Sequence, residues 1–322
     1  MVSVIVPSRV DQYLQRTIDD LSEKAEGEIE IIVVLDGYWP SPMLKNDSRV
    51  ITLHQGTVHD NLGMRAAINA GVSISKGEYI MKVDEHVMMD QGYDVKLVAD
   101  CQDNWVVIPR RKRLDAETWT LIEDGRPDID YMYIEYPYVK PLDKTQGLHG
   151  AEWKQRGFER KDVLIDDTPS MQGSCWFLSR KYWDRIIGEM DSSLYGTFTM
   201  EAQEIGMKTW LSGGRVVVNK KTFYAHWHKG SKGKGYGFSR EQWKKHAESM
   251  EKGRLYGINY WLQTEDFKYD WGWFVGEKFP DMPGWSKDWR ERVEVDKLKD
   301  YSTLKYKDDF WLSGLREKSD NG

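Results

Sequence analysis

The sequence predicts an α/β fold, built on an open and mostly parallel central sheet flanked by helices. Three observations carry this. Apolar, β-branched runs recur at residues 2–7 (VSVIVP), 29–35 (IEIIVVL) and 78–83 (EYIMKV), and such continuous runs mark strands buried on both faces. Between them, residues 11–24 and 62–75 space their apolar side chains as helices do. Strand and helix therefore alternate, which is the pattern of β-α-β units and a parallel sheet.

Each element follows in order. Residues 2–7 give the first strand. Tyr13, Leu14, Ile18 and Leu21 then lie on one helical face. The second strand ends at Asp36-Gly37, a turn signal. Residues 50–53 form a short third strand. The helix over 62–75 closes at Lys76-Gly77, and the next strand runs up to Asp84. Residues 104–109 (NWVVIP) are a further strand. Residues 110–161 are irregular and rich in Tyr, Asp and Pro, as expected of an excursion over a site. A strand at 176–178, a helix at 179–187 capped by Ser179, a helix at 201–212 and a strand at 215–218 complete the core. Residues 1–235 are expected as one catalytic domain with halves at 1–109 and 110–235. Residues 236–322 are expected as a Trp-rich appendage.

The chain has 322 residues with a net charge of -6, so no global field favours a polyanion. Its 40% hydrophobic and 30% charged residues describe a folded protein. Two cysteines, Cys101 and Cys175, make neither a disulfide framework nor a CxxC pair, and both are expected reduced and buried. No run reaches the length of a membrane helix. The first residues read as a strand rather than a leader, so a cytoplasmic protein of a bacterium or a phage-infected cell is expected. The 15 tryptophans crowd toward the last third, which suggests a surface for stacking.

Three constellations carry chemistry. The first is KVDEHVMMD, residues 82–90. If strand geometry continues past residue 83, Asp84 and His86 share a face and Glu85 turns away, to a structural contact or solvent. A carboxylate with an imidazole suits a divalent cation such as Mn²⁺; a hydrogen-bonded turn is the plainer reading. The second is FYAHWHK, residues 223–229, which runs into the glycine-rich SKGKGYG. His226 and His228 stand two apart there, and a cationic, flexible loop beside them suits a diphosphate or is a solvated connection. The third is Met200-Glu201-Ala202-Gln203-Glu204, either carboxylates favoured at a helix start or an acid aimed at a substrate.

In this order, SVIVPS, EIIVVLDG, SKGEYI, Asp-x-His, MQGSCWFLSRK, EAQEIGMKTWLSGG and YAHWHKG resemble a family-2-type glycosyltransferase of the Rossmann-like GT-A fold. The pattern is most similar to that of the polypeptide N-acetylgalactosaminyltransferases, over roughly the first 235 residues. The resemblance implies a nucleoside-diphosphate sugar as donor, UDP-linked, and Mn²⁺ or Mg²⁺ held by Asp84, His86 and His226. It implies donor contacts from Pro7, Asp36, Asp84, Gly173 and Lys229, with Asp36 at the nucleoside. Glu201 is the implied catalytic residue. One departure stands out: where inverting relatives carry Glu-Asp, this chain has Glu201-Ala202, so Glu201 either deprotonates the acceptor or only positions substrates. The signal anchor and lectin domain of the N-acetylgalactosaminyltransferases are not matched, so their peptide acceptor is not carried over.

Acceptor readings diverge. The basic, aromatic stretch over 220–246, including Arg240, Trp243, Lys244 and Lys245, resembles a nucleic-acid track, which would suit a hydroxymethylated base in phage-like DNA, flipped out to react. A glycan or peptide acceptor is the alternative. A non-catalytic sugar-nucleotide-binding protein is a third reading. A nucleotidyltransferase lacks its glycine-rich loop after the first strand, since PSRVDQY is not one.

Overall fold

The computed structural model describes residues 1–9, 12–137, 148–198, 200–228, 240–285 and 289. Its first part follows the expected alternation: β1 (Val2–Ser8), α1 (Leu14–Lys24), β2 (Ile29–Asp36), β3 (Val50–Gln55), α2 (Met64–Ile74), β4 (Tyr79–Val83), β5 (Val87–Met89) and α3 (Tyr93–Asp100). A long β6 (Trp105–Asp115) turns back through β7 (Thr120–Leu121). Among the described residues, the rest of the irregular excursion holds the short β8 (Met132–Ile134), β9 (Gly150–Glu152) and α4 (Lys154–Glu159), and β10 (Ile165–Asp167) follows it. Then come β11 (Cys175–Ser179), α5 (Arg180–Tyr182), α6 (Ser192–Tyr195), α7 (Glu201–Leu211), β12 (Arg215–His226), α8 (Arg240–Gln263) and α9 (Trp271–Trp273). Ser179 caps α5 as expected, its side chain accepting from the Tyr182 amide.

The central sheet runs β10-β12-β6-β11-β4-β1-β2-β3. The half formed by β3, β2, β1 and β4 is parallel throughout. Every residue of β2 is buried, as a strand covered on both faces demands. β11 enters antiparallel to β4 and β6, while β6 and β12 are again parallel. No described helix is long and apolar enough to cross a membrane.

Two local features aim the site. β12 shifts register against β6 between Asn219 and Phe223, and such a bulge bends a strand. Beyond the bend β12 also pairs with β5, setting His226 opposite Val87. The expected strand continuation through residues 84–86 is corrected. β4 ends at Val83, and Asp84, Glu85 and His86 form a tight turn into β5, with the Asp84 amide donating to the Ser174 carbonyl at 3.0 Å. The turn, not strand alternation, brings Asp84 and His86 together.

The tryptophan surface is also corrected. Trp261, Trp271, Trp285 and Trp289 are buried, and with Ile258, Phe274 and Phe279 they join the same hydrophobic cluster as the sheet residues. Large aromatics bury more apolar area than any other side chains, so packing claims them first. Of the two cysteines, Cys175 is buried but Cys101 is only half-buried; burial still pushes the Cys101 thiol up to about 12.

Candidate active site

A cavity of about 810 Å³ opens at the carboxyl ends of β1, β2 and β4, where open α/β sheets bind ligands. Pro7, Asp36, Asp84, His86, Gly173, Glu201 and His226 all line it. Lys229 lies outside the described residues.

Asp84, His86 and His226 form the metal-competent cluster, with one ligand atom from each within 4.8 Å of the others. The Asp84 Oδ2 lies 3.1 Å from His226 Nε2 and 3.9 Å from His86 Nε2. The imidazole rings of His86 and His226 stand 4.8 Å apart, and His228 lies beyond His226, its ring 6.3 Å away. Burial favours an uncharged His226: it lowers that imidazole to about 3, against the pull of the Asp84 hydrogen bond. Burial would raise the Asp84 carboxyl, yet Lys82 and the two histidines hold it well below the usual range. A deprotonated carboxylate with a neutral imidazole is the charge state a cation needs.

The donor set fits a small divalent ion. Bonds of about 2.1 Å place two ligands at most about 4.2 Å apart, so the cluster would close slightly on binding. His226 Nδ1 faces the Arg111 Nη2 at 3.3 Å. A guanidinium only donates, so Nδ1 accepts and the ring proton sits on Nε2, toward Asp84. For Nε2 to ligate, that proton must move to Nδ1 and Arg111 must yield.

Glu201, the first residue of α7, also lines the cavity, with Lys82 between it and Asp84. Its Oε1 accepts from the Trp176 indole N–H at 2.7 Å. Its Oε2 makes no hydrogen bond and lies 3.7 Å from Lys82 Nζ. Burial raises this carboxyl above its ordinary value, and Lys82 and Trp176 offset part of that. Gly173 is glycine for contact: a Cβ there would stand 2.7 Å from Glu201 Oε2.

Asp36 has a structural task at the donor end. Its two oxygens accept from the Leu62 and Gly63 amides at 2.9 and 2.7 Å, holding the loop before α2. Glu85, expected to turn away, instead lines the same cavity as Asp84 and His86, because the turn does not alternate as a strand does; its Oε2 accepts from the Arg9 amide at 3.0 Å. Arg9 in turn donates to the Asp36 carbonyl at 2.8 Å.

Several lining residues escaped the sequence reading. Lys82 lines the cavity from β4, and His246, Met250 and Arg254 line it from α8, while Arg111 and Trp176 contact His226 and Glu201 without lining it. Lys82 had a visible signal, a charge inside an apolar strand. The α8 residues had none, because their position depends on how the chain returns over the sheet. The basic stretch is partly consumed within the fold. Lys220 is buried, with its Nζ donating to the Arg160 carbonyl at 2.6 Å, and Lys221 pairs with Asp100 at 2.8 Å.

The chain also resembles known proteins. The chain is 30% identical over 111 residues to the "Uncharacterized glycosyltransferase EpsJ" of Bacillus subtilis (strain 168), covering 32% of this chain and 31% of that protein. It is 34% identical over 91 residues to "Glycosyltransferase GlyG" of Streptococcus pneumoniae serotype 4 (strain ATCC BAA-334 / TIGR4), covering 26% and 29% respectively. The alignments thus span about a third or less of these curated relatives. Among solved structures, the crystal structure of GalNAc-T7 with UDP, GalNAc and Mn²⁺ superposes with a TM-score of 0.60 at 16% identity, over 94% of this chain and 54% of that one. That likeness speaks for the GT-A fold. The model of "Glycosyl transferase family 2" matches residues 3–187. That span is more than half of the chain and runs from β1 through the Asp84–His86 turn to β11. The protein therefore belongs to glycosyl transferase family 2.

Proposed function

We propose that the enzyme moves a sugar from a UDP-linked nucleotide sugar to an acceptor hydroxyl, with Mn²⁺ or Mg²⁺ held by Asp84, His86 and His226. The observation that carries this is the convergence of those three side chains in a cavity that Glu201 also lines. A GT-A structure containing UDP and Mn²⁺ over the same fold supports it. When bound, the cation neutralises the charge that develops on the leaving diphosphate.

The chain's own residues do the rest. Asp36 and Arg9 order the loops at the nucleotide end through their backbone contacts. Pro7 and Gly173 keep the cavity wall close to the donor. Glu201 presents Oε2 to the incoming hydroxyl, accepting its hydrogen bond and then its proton, while Trp176 holds Oε1 in place.

The test is release of UDP and transfer of labelled sugar from a panel of UDP-sugars with and without Mn²⁺. Hydroxymethylcytosine DNA, a glycan and a peptide would be offered as acceptors. Asp84→Ala is expected to lower turnover at least about 100-fold and to abolish Mn²⁺ stimulation. Unchanged, metal-independent turnover in that variant would reject the metal reading. Label in glycan or peptide but not in DNA would end the DNA acceptor. The buried Lys220, the paired Lys221 and the buried tryptophans already leave that acceptor less surface among the described residues.

A further inference from the structure

Lys82 is the least expected group in the cavity wall. It sits in β4 between Met81 and Val83, and its side chain is 1% exposed. A buried ammonium costs several kcal/mol unless it is paired, and an apolar residue would fill this strand position at lower cost. Its partners explain its presence. Nζ donates to Asp84 Oδ1 at 2.7 Å and to the Gly173 carbonyl at 2.5 Å. It also lies 3.7 Å from Glu201 Oε2. In the sheet register Lys82 stands directly opposite Trp176 of β11, so the two project from the same face. Both reach Glu201, the indole at Oε1 and the ammonium near Oε2.

We propose that Lys82 is a positioning residue that assigns the two carboxylates of the site their separate tasks. By occupying Asp84 Oδ1 it leaves only Oδ2, the atom beside His86 and His226, to face a cation. By standing between Asp84 and Glu201 it keeps the two carboxylates from repelling each other. It also draws Glu201 Oε2 to the acceptor side. Through the Gly173 carbonyl it fixes the backbone against which Glu201 packs. This inference rests on the metal and Glu201 roles proposed above.

The test compares Lys82→Met, which keeps the stem and loses the charge, with Lys82→Arg, which keeps the charge. Mn²⁺ binding is measured without donor, by the electron paramagnetic resonance signal of the free ion. Hydrolysis of the best UDP-sugar gives kcat and KM. In Lys82→Met, a positive charge leaves the neighbourhood of the cation and Asp84 Oδ1 is freed, so Mn²⁺ should bind at least as tightly as to the wild type. The kcat should fall at least about 100-fold with the donor KM changed less than about threefold. Lys82→Arg should recover at least about tenfold in kcat over Lys82→Met. Turnover of Lys82→Met within about tenfold of the wild type overturns the proposal. So does a joint loss of Mn²⁺ binding and thermal stability, which would make Lys82 a folding residue. Asp84→Ala separates the two readings. If it binds Mn²⁺ like the wild type, the underlying metal assignment falls. If it loses Mn²⁺ while Lys82→Met turns over normally, only the role of Lys82 falls.

Discussion

Glu201 shows how one residue can work against stability. Burial holds its carboxyl above the ordinary glutamate value, so the folded state keeps a proton that the unfolded chain has released. Stability therefore falls as pH rises between the two values, and the loss is complete above the folded one. Glu201→Gln removes this penalty and retains an oxygen for the Trp176 N–H. At about pH 7.5 the variant should be more stable by roughly 0.5–2 kcal/mol, as when strained functional groups are relieved. Transfer should drop by about 100-fold or more. Urea melts at two pH values with initial rates would check both; a variant that is less stable at neutral pH would contradict this account. The sequence marked Glu201 by its place at a helix start, but its pairing with Trp176 and Lys82 was not legible. Both come from neighbouring strands whose pairing the sequence does not print.

At the scale of elements, α7 is held to α2 by a buried ion pair. Arg65 and Glu204 are 0% and 2% exposed. Lys208 reaches the same carboxylate at 2.7 Å, and Arg65 also lies over the Tyr195 ring. In the sequence Glu204 reads only as a second carboxylate at a helix start. The structure turns it inward, to Arg65. Glu204→Ala would leave Arg65 buried without its carboxylate, at a cost of about 3–5 kcal/mol. The double variant Arg65→Met/Glu204→Met should cost less than Glu204→Ala alone, since it buries no orphan charge. Chemical denaturation measures both, and a Glu204→Ala protein within about 1 kcal/mol of the wild type would refute the assignment. The start of α7 is a second point of tension. Met200 has φ 62°, a left-handed conformation that costs a side-chain-bearing residue about 1–3 kcal/mol. Its side chain packs against Gly257 of α8, where a Cβ would lie 2.6 Å from the Met200 methyl. The C-terminal helix thus braces the residue that precedes Glu201.

For the whole molecule, the described part of the segment expected as an appendage, residues 240–285, packs into the same hydrophobic cluster as the sheet. Trp261, Trp271 and Phe274 are almost wholly buried within the cluster that includes Trp210 and Ile205 of α7. Lys278 pairs with Asp167 of β10 at 2.6 Å, and Arg215 reaches the same carboxylate at 2.7 Å. A chain ending at residue 235 would expose this apolar surface and lose one wall of the cavity. It should aggregate or melt without a cooperative transition. A soluble fragment with a sharp calorimetric transition would show that the C-terminal segment is dispensable to the fold.

The sequence by itself determined the parallel half of the sheet, the helices between its strands, and the placing of Asp84 and His86 at a strand end. Those are local facts: a strand buried on both faces must be apolar along its length, and polar side chains collect where it ends. The family resemblance implied that His226, 142 residues away, meets Asp84, and only the tertiary structure shows how. A bulge in β12 and its pairing with β5 set that meeting. The same holds for the ammonium of Lys82 between two carboxylates and for the closure of the cavity by α8. Both depend on how distant segments pack, which pair composition and periodicity do not encode.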